Sequence, residues 1–576
     1  MMITRECDYV PLMFQAQIEG RCQIQFIKDE PRQQAEDWVD EWLKGTVKKT
    51  PQFGADVETK PYKIPWRWVS NSGQDEDIIR PVIAAKGYPY YPGSSMKGTF
   101  RRACTPEEAQ HYCGGKEGKK TRPGILRFHG GYPKNETWKK TPLVDLIHPQ
   151  EDWQIKNSNS HRALIQISML GTTLVFGISS SKKLSDEEWE KIWLIWHRAI
   201  EKGIGLRTSA GYGQPQHHGK SPLLRVKLKG QGLASRLIYK SGDFADQGEF
   251  RPNLFKAALR GHTQRLFAGV TDEATTQALT QELWGGIADQ KKSIGSDQKK
   301  SIVGLLGTAF SYQFDKLILD QYPYKDSKLP LFELTAGNLD LLGMRSLPDE
   351  ETTRELKKLI TQLIKFSMLL GGFGKSWRRV DHRLVFPKYV NNCANNIHVN
   401  PMIGCHWEFS EGSEKYYVSV GELTDITIFL EKLRTNLQTW VRSKKKQVSN
   451  PNTFVSWRET WHPDNVQVWG RIANNKFDSK AVGWFHSNYS GVQRIKKTLL
   501  TGQLNQIGRI WHRMYPRYIK VSENTLQPTR EYIELLTIFP NIPDEDERQK
   551  EGERQKAKDF LTFLDTKTSF SLLYPG

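Results

Sequence analysis

The sequence predicts an α+β chain built as two copies of one plan. Three observations carry that prediction. Strand-like runs alternate with amphipathic helices along the 576 residues, a length beyond one ordinary domain. A proline followed by a lysine and an arginine four apart occurs twice, at Lys97/Arg101 and at Lys256/Arg260. Each is followed by an amphipathic helix that runs into glycines. Lys97 precedes Gly203 by 106 positions (203−97), and Lys256 precedes Gly371 by 115 (371−256). Matching order and similar spacing argue for tandem copies, the first over residues 1–220. The second, over 221–576, carries basic insertions and an elaborated C-terminal region.

In the first copy, Pro11 to Ile27 alternates as a strand does, and Gln33 to Leu43 gathers Ala35, Trp38, Val39 and Trp42 on one helical face. Lys60 to Val69 reads as another strand, and Ser70 to Asp77 as a polar loop ending in Asp75-Glu76-Asp77. Pro92 and Gly93 then force a turn, and Ser94 or Ser95 is placed to cap the helix that follows. Free N–H groups at a helix start attract an anion, and Lys97 and Arg101 share one face. Together they make a phosphate cradle indifferent to base identity. A capped helix with solvated charges explains that stretch alone equally well.

Gly114 to Gly124 reads as a mobile loop, and Val144 to Pro149 as a strand end in which His148 is structural or packs against RNA. Ala163 to Ile178 reads as a strand pair turning at Gly171-Thr172. Leu184 to Trp189 has the form of a capping box with a hydrophobic staple, and Trp189, Ile192, Trp193, Trp196 and Ile200 form one stripe. The helix ends in Gly203 to Gly213. Four glycines there, with Arg207, Thr208 and Ser209, suit close approach to a sugar–phosphate chain, Gly205 being a contact point. The dinucleotide fingerprint is excluded, because Thr208 stands where its third glycine belongs. A helix end running into a hairpin is the plainer alternative.

The second copy restates this with a strand at Leu223 to Leu228, a helix from Asp349 to Leu370, and a loop containing Gly372 and Lys375. A P-loop is excluded there, since Leu369 replaces its first glycine and a helix replaces its strand. Asp289 to Ile294 recurs at Asp297 to Ile302 as a basic loop. Arg442 to Lys446 is a basic run, and Asp544 to Lys558 is charged and helix-prone or disordered. Val466 to Ile472 and Ala481 to Phe485 read as strands, and Gln503 to Met514 as a basic helix.

A net charge of +19 and a pI near 9.4 favour a polyanionic partner. A mean hydropathy of −0.60, without an apolar run of membrane-spanning length, excludes an integral helical membrane protein. Met1 to Val10 lacks an apolar signal core, so the cytoplasm is expected and no membrane partner. Six cysteines are too few for a disulfide scaffold. Cys104, His111 and Cys113, with Cys7, Cys22 or His129 as a fourth ligand, fit no standard zinc spacing. Zn²⁺ is therefore not expected, and reduced, partly buried thiols are.

The pair P-G-S-S-x-K-G-x-x-R (Pro92 to Arg101) and G-I-G-x-x-T-S-A-G-Y-G (Gly203 to Gly213) resembles the RAMP superfamily, the guide-binding backbone subunits of type III CRISPR effectors. The glycine loop is most similar to the subunit that closes one end of the type III-B backbone. The resemblance covers roughly the first 215 residues. It implies tandem ferredoxin-like (RRM-like) domains with loop insertions that grip a CRISPR RNA and present it to target RNA. The implied partners are the other type III effector subunits, both backbone subunits and the large subunit. Implied RNA contacts are Ser94, Ser95, Lys97, Arg101, Gly205, Arg207, Thr208 and Ser209, with Lys256, Arg260, Gly372 and Lys375 in the second copy.

Several members of that family cut target RNA with an aspartate on the loop before P-G-S-S. Asp77, twelve residues before Pro89, occupies that place and would hold Mg²⁺, with Asp75 or Glu76 in support. Asp243 and Asp246 are the weaker counterparts in the second copy. The subunit with the nearest glycine loop is normally non-cutting, so cutting and scaffolding stay equally open. The alternative is a CRISPR RNA processing endonuclease of the same superfamily, a class that lacks P-G-S-S-x-K.

Overall fold

The computed structural model describes residues 13, 31–46, 48–75, 78–117, 120–147, 154–156, 164–216, 222–237, 248–288, 300–324, 327–385, 404–444, 454–502, 507–522, 525–541 and 547–576. The chain forms two compact units. The first comprises Met1–Pro149, Arg162–Ser221 and Leu237–Ala245, and the second Gln150–His161, Pro222–Arg236 and Asp246–Gly576. The structure is mixed α and β, and no described helix is long and apolar enough to cross a membrane.

The first unit opens with α1 (Pro31–Gly45), which buries Ala35, Trp38, Val39 and Trp42 as its periodicity predicts. The strand expected over Lys60 to Val69 is two, β1 (Glu58–Lys63) and β2 (Arg67–Trp68), interrupted around Pro65, which has no N–H for a ladder. The polar loop contains β3 (Gly73–Asp75), paired antiparallel with β4 (Ile78–Arg80). Next come α2 (Gly93–Ala103) and α3 (Pro106–Cys113), the latter closed by a Thr105/Glu108 capping box.

The mobile loop expected over Gly114 to Gly124 is instead a hairpin, β5 (Gly114–Glu117) with β6 (Lys120–Pro123). All four residues of β6 are exposed, so no apolar alternation marks the strand and the composition resembles a loop. β7 (Leu126–Pro133), β8 (Val144–Ile147), β9 (Leu164–Ile167), β10 (Met169–Leu170), β11 (Thr173–Ser180) and α4 (Asp186–Ile200) complete the unit. The turn at Gly171 is present (φ +61°), but its flanking strands do not pair with each other. β9 joins β8 and β4, β10 joins β2, and β11 lies between β1 and β7. Against the β1-β11-β7 sheet pack Met96, Phe100 and Trp196, with the Trp196 ring 5.0 Å from Phe176. Each such fully buried side chain contributes about 1.5–3 kcal/mol.

The second unit begins with β12 (Leu224–Leu233) and the short pair β13 (Ser235–Arg236) and β14 (Gly248–Glu249). α5 (Asn253–Ala268) and α6 (Glu273–Trp284) lead to the hairpin β15 (Gly286–Ala288)/β16 (Lys300–Ile302). The doubled basic segment falls outside the described residues except for β16. β17 (Leu306–Ser311), β18 (Leu317–Tyr324), β19 (Ser327–Gly343), α7 (Glu350–Leu369), α8 (His382–Val385) and β20 (Cys405–Phe409) follow. α9 (Thr424–Ser443) leads to β21 (Gln467–Ala473), α10 (Ala481–His486), β22 (Ile510–Ser522), β23 (Thr525–Ile538), α11 (Glu547–Lys567) and β24 (Ser571–Tyr574).

One serial pattern recurs. In strand–helix–strand–strand–helix–strand order, β12, β17, β19 and β20 align as β17-β19-β12-β20, and β21 to β24 as β22-β23-β21-β24. All these pairings are antiparallel. The first unit shows the same order without a fourth strand, β1-β11-β7, with α2 after β1 and α4 after β11. Finer detail repeats too. α3 and α6 both end on a glycine at φ +81°, Gly114 and Gly285, and both run straight into a hairpin.

The last sheet overturns two expectations. Ala481 to Phe485 is helix rather than strand, because Glu534 on β23 caps it: its carboxylate accepts from Lys480 N and Ala481 N, both at 3.0 Å. Gln503 to Met514 is not a helix either, for Ile510 onward forms β22, and 503–506 lie outside the described residues. Both faces of β22 are buried from Ile510 to Tyr515, so no alternation remains to betray the strand. Pro11 to Ile27, apart from Met13, also falls outside the described residues.

Candidate nucleic-acid interface

Helix α2 buries Met96, Thr99 and Phe100 and leaves Ser94, Ser95, Lys97, Arg101 and Arg102 exposed. Neither serine caps it. Pro92 is the N-cap residue, without a side-chain bond, and both hydroxyls stand inside the first turn. The turn is fixed differently: Gly93 N donates to Tyr90 Oη at 3.1 Å, and a Cβ at Gly93 would overlap the Phe128 carbonyl. Lys97 and Arg101 share one exposed face, and the charges of both act on the Cys113 thiol. Arg101 Nη1 donates to Gly114 O at 2.6 Å, which aims the guanidinium along the start of the β5/β6 hairpin.

The glycine loop follows α4, whose N-cap Ser185 accepts from Glu188 N at 3.3 Å. Gly203, Gly205, Gly211 and Gly213 all have positive φ, and so does Arg207 at +60°. No hairpin forms there. The loop makes one 3₁₀ turn, Thr208–Ala210, and is fastened along the β1–β2 edge. Leu206 N donates to Val69 O, Gly213 N to Arg67 O, and Gln216 N to Lys63 O, each at 2.8 Å. A Cβ at Gly205 would overlap the Val69 carbonyl, so close backbone approach accounts for that glycine.

Arg207 is half-buried. Burial pushes its guanidinium pKa down, while Tyr212 and Asp145 act in the opposite sense. Asp145 is fully buried and accepts from Gln166 Nε2 at 2.6 Å and Tyr212 Oη at 3.1 Å. Thr208 and Ser209 are also half-buried. Helix and loop meet at Tyr91, whose hydroxyl lies 3.2 Å from Thr99 Oγ1 and is reached by the Gly205 backbone. Two cations that the motifs did not single out belong here. Arg102 acts on both Tyr91 and Lys202, and Lys202 has its pKa lowered first by burial and then by Arg102, against Glu201. Each stands next to a motif residue, which is the only signal the sequence offered.

The corresponding region of the second unit is packed differently. Lys256 and Arg260 on α5 are half-buried, and each is engaged by neighbouring groups. Gly371 and Gly372 are buried, where a Cβ would overlap the His262 ring and the Arg513 guanidinium respectively. Lys375 is exposed overall, yet its ammonium donates to Ala234 O at 3.3 Å. Burial, with Arg251 and Arg236 nearby, pushes its pKa down to about 8. Beneath the loop, Glu459 is fully buried and accepts from Arg265 at 2.5 Å and Arg378 at 2.8 Å. Burial alone would raise the Glu459 pKa, but Arg378 and Arg265 hold it well below the carboxylate range.

Asp77 lies outside the described residues, as do His148, Asp243 and Asp246. Asp75 ends β3 opposite Ile78. Burial pushes the Cys104 thiol up to about 12 and raises that of Cys113 as well, and His111 Nε2 sits 3.5 Å from Glu188. His129 Nε2 lies 2.7 Å from Ser179 Oγ, while Cys7 and Cys22 lie outside the described residues.

No family model matches the chain, and none of the curated proteins is similar to it. Among solved structures, it is similar to a chain of the type III-B Cmr-beta complex bound to cognate target RNA, determined by cryo-EM. Identity is 21%, coverage 33% of this chain and 65% of that one, and the TM-score 0.22. The match spans less than two thirds of that chain's length, and at this score neither fold nor role carries across.

Proposed function

We propose that this chain is a CRISPR RNA-binding backbone subunit of a type III effector complex, with ferredoxin-like regions over 1–220 and 221–576, the second containing two such strand orders. One observation carries the reading: a helix presents Lys97, Arg101 and Arg102 to solvent while Tyr91 ties it to the glycine loop. Exposed cations beside close-approach backbone suit a sugar–phosphate chain read without regard to base. The strand–helix–strand–strand–helix–strand order supports the ferredoxin-like assignment. Target RNA would be selected by pairing with the guide, the protein reading backbone shape. Other backbone subunits and the large subunit are the partners this role requires. A carboxylate at Asp77 would hold Mg²⁺ or orient a target 2′-OH for attack on the adjacent phosphate.

The test is single-stranded RNA binding by the full chain across a salt series. Lys97→Ala and Arg101→Ala should each lower the salt slope by about 0.7, the increment for one phosphate on a single strand. Unchanged affinity and slope in both would overturn the assignment. Cleavage of unprocessed repeat RNA by the pure chain would favour the processing endonuclease instead. Asp77→Ala in an assembled complex should abolish one target cut with target binding intact, and an unchanged cleavage pattern would make the subunit a scaffold.

A further inference from the structure

The second unit contains a basic cleft that none of the motifs predicts. It lies between the segment joining α10 to β22 and the outer side of α11, and it encloses about 660 Å³. That volume falls within the roughly 300–1,000 Å³ of small-ligand pockets, room for a short nucleotide segment rather than a duplex. Arg494, Lys496, Lys497 and Lys556 line it against a single carboxylate, Asp559.

The cations are held out by a fixed backbone. Ile495 and Leu500 are buried and anchor the segment to the core beside Phe560. Thr498 Oγ1 and Thr501 Oγ1 both donate to Ile495 O, at 2.7 and 2.6 Å. Leu499 N donates to Glu553 Oε2 at 2.8 Å, and Tyr489 N to Gln493 O at 2.9 Å. Lys497 occupies the left-handed region at φ +64°, a conformation unfavourable for a non-glycine residue that persists where surrounding bonds over-determine it.

The nearby acids are already engaged. Glu553 takes Lys556 at 2.6 Å as well as Leu499 N, and Asp559 accepts from Gln555 at 2.7 Å. Among the described residues, Arg494, Lys496 and Lys497 have no ion-pair partner. At the lip stands Val492, 91% exposed, an apolar surface among charges that the face of a base would cover.

We infer that this cleft binds a phosphodiester segment of single-stranded RNA, a second contact independent of the helix α2 and glycine-loop assignment. The geometry fits that class: three cations without ion pairs within four residues, outnumbering the one carboxylate beside them, for consecutive phosphates, and an exposed aliphatic side chain where a base would lie.

The experiment uses the full chain with a short oligouridylate carrying 4-thiouridine, crosslinked by light and mapped by peptide mass spectrometry. Crosslinks are expected within 489–498. The combined variant Arg494→Gln, Lys496→Gln, Lys497→Asn should lose them, with the salt slope of binding lower by about 2. Asparagine tolerates the left-handed backbone that Lys497 adopts. Val492→Glu, which leaves every cation in place, should weaken the same crosslinks several-fold. Absence of 489–498 crosslinks in the unaltered chain would overturn the proposal, as would their persistence in the triple variant. Displacement by inorganic phosphate as effective as by oligonucleotide, at equal phosphate, would reduce the cleft to a simple anion site and also overturn it. In the Lys97→Ala/Arg101→Ala chain these crosslinks should remain, so failure of the guide-contact reading and of this one are distinguishable.

Discussion

Two regions share a sequence pattern and have opposite physical characters. In the first unit, Lys97 and Arg101 stand on an exposed helix face and the glycines of the following loop press against a strand edge. In the second, Lys256 and Arg260 are half-buried, the glycines make room for His262 and Arg513, and Arg378 beside them goes to a buried carboxylate. Similar spacing therefore conserves a fold but not the fate of its cations. A surface cation is available to a phosphate; one desolvated beside a carboxylate is committed to that partner and costly to leave without it.

The largest expected effect breaks the comparison at Glu459. Glu459→Gln leaves the buried Arg265 and the half-buried Arg378 without their counter-charge, which should cost about 3–5 kcal/mol by denaturant unfolding. Lys97→Ala, on the exposed face, should stay within about 0.5 kcal/mol by the same measurement. A small loss for both would mean that the second unit's cations are as dispensable as the first's.

The next effect concerns Gly205. With φ at +81° and the Val69 carbonyl in the way of a Cβ, Gly205→Ala should destabilise the first unit by about 1–3 kcal/mol. It should also weaken RNA binding through Tyr91. Normal stability with weakened binding would show that the glycine serves the ligand rather than the packing.

Acid should act through Glu534, which is needed to cap α10. Burial would raise its pKa, but bonds from His512, Ser479 and Lys480 N hold it down at about 2. A depressed carboxylate contributes stability that is present above its unfolded pKa of about 4.3 and lost as pH falls toward the folded value. Stability should therefore drop between about pH 5 and pH 2, and Glu534→Gln should flatten that portion of the curve.

The smallest effect separates Lys375 from Lys97. With its folded pKa lowered to about 8, Lys375 loses its proton as pH rises through 8, while the unfolded chain keeps it to about 10.4. The unfolded state binds more protons across that window, so stability should rise with pH there. Any RNA affinity that Lys375 supplies should fall between pH 7 and pH 9. Titrating Lys375→Ala beside the unaltered chain should give a few-fold difference at pH 7 that vanishes by pH 9.

The sequence alone determined the elements whose signals are local. The α1 face, the Ser185-capped α4 stripe and the Asp349-capped α7 are written in apolar spacing and in caps a few residues away. The Pro92–Arg101 and Gly203–Gly213 motifs likewise located the helix and loop that Tyr91 joins. Only tertiary structure decided what depends on distant partners. The cap on α10 comes from Glu534, the ladder that makes β22 a strand comes from β23, and the hairpins that follow α3 and α6 leave those helices through glycines packed against the helix ends. The third appearance of the strand order, in β21 to β24, was invisible because β22 is buried on both faces over its first half. Whether a cation faces water or a buried glutamate is likewise a property of the folded surroundings, since Arg101 and Arg378 are the same residue type beside similar motifs.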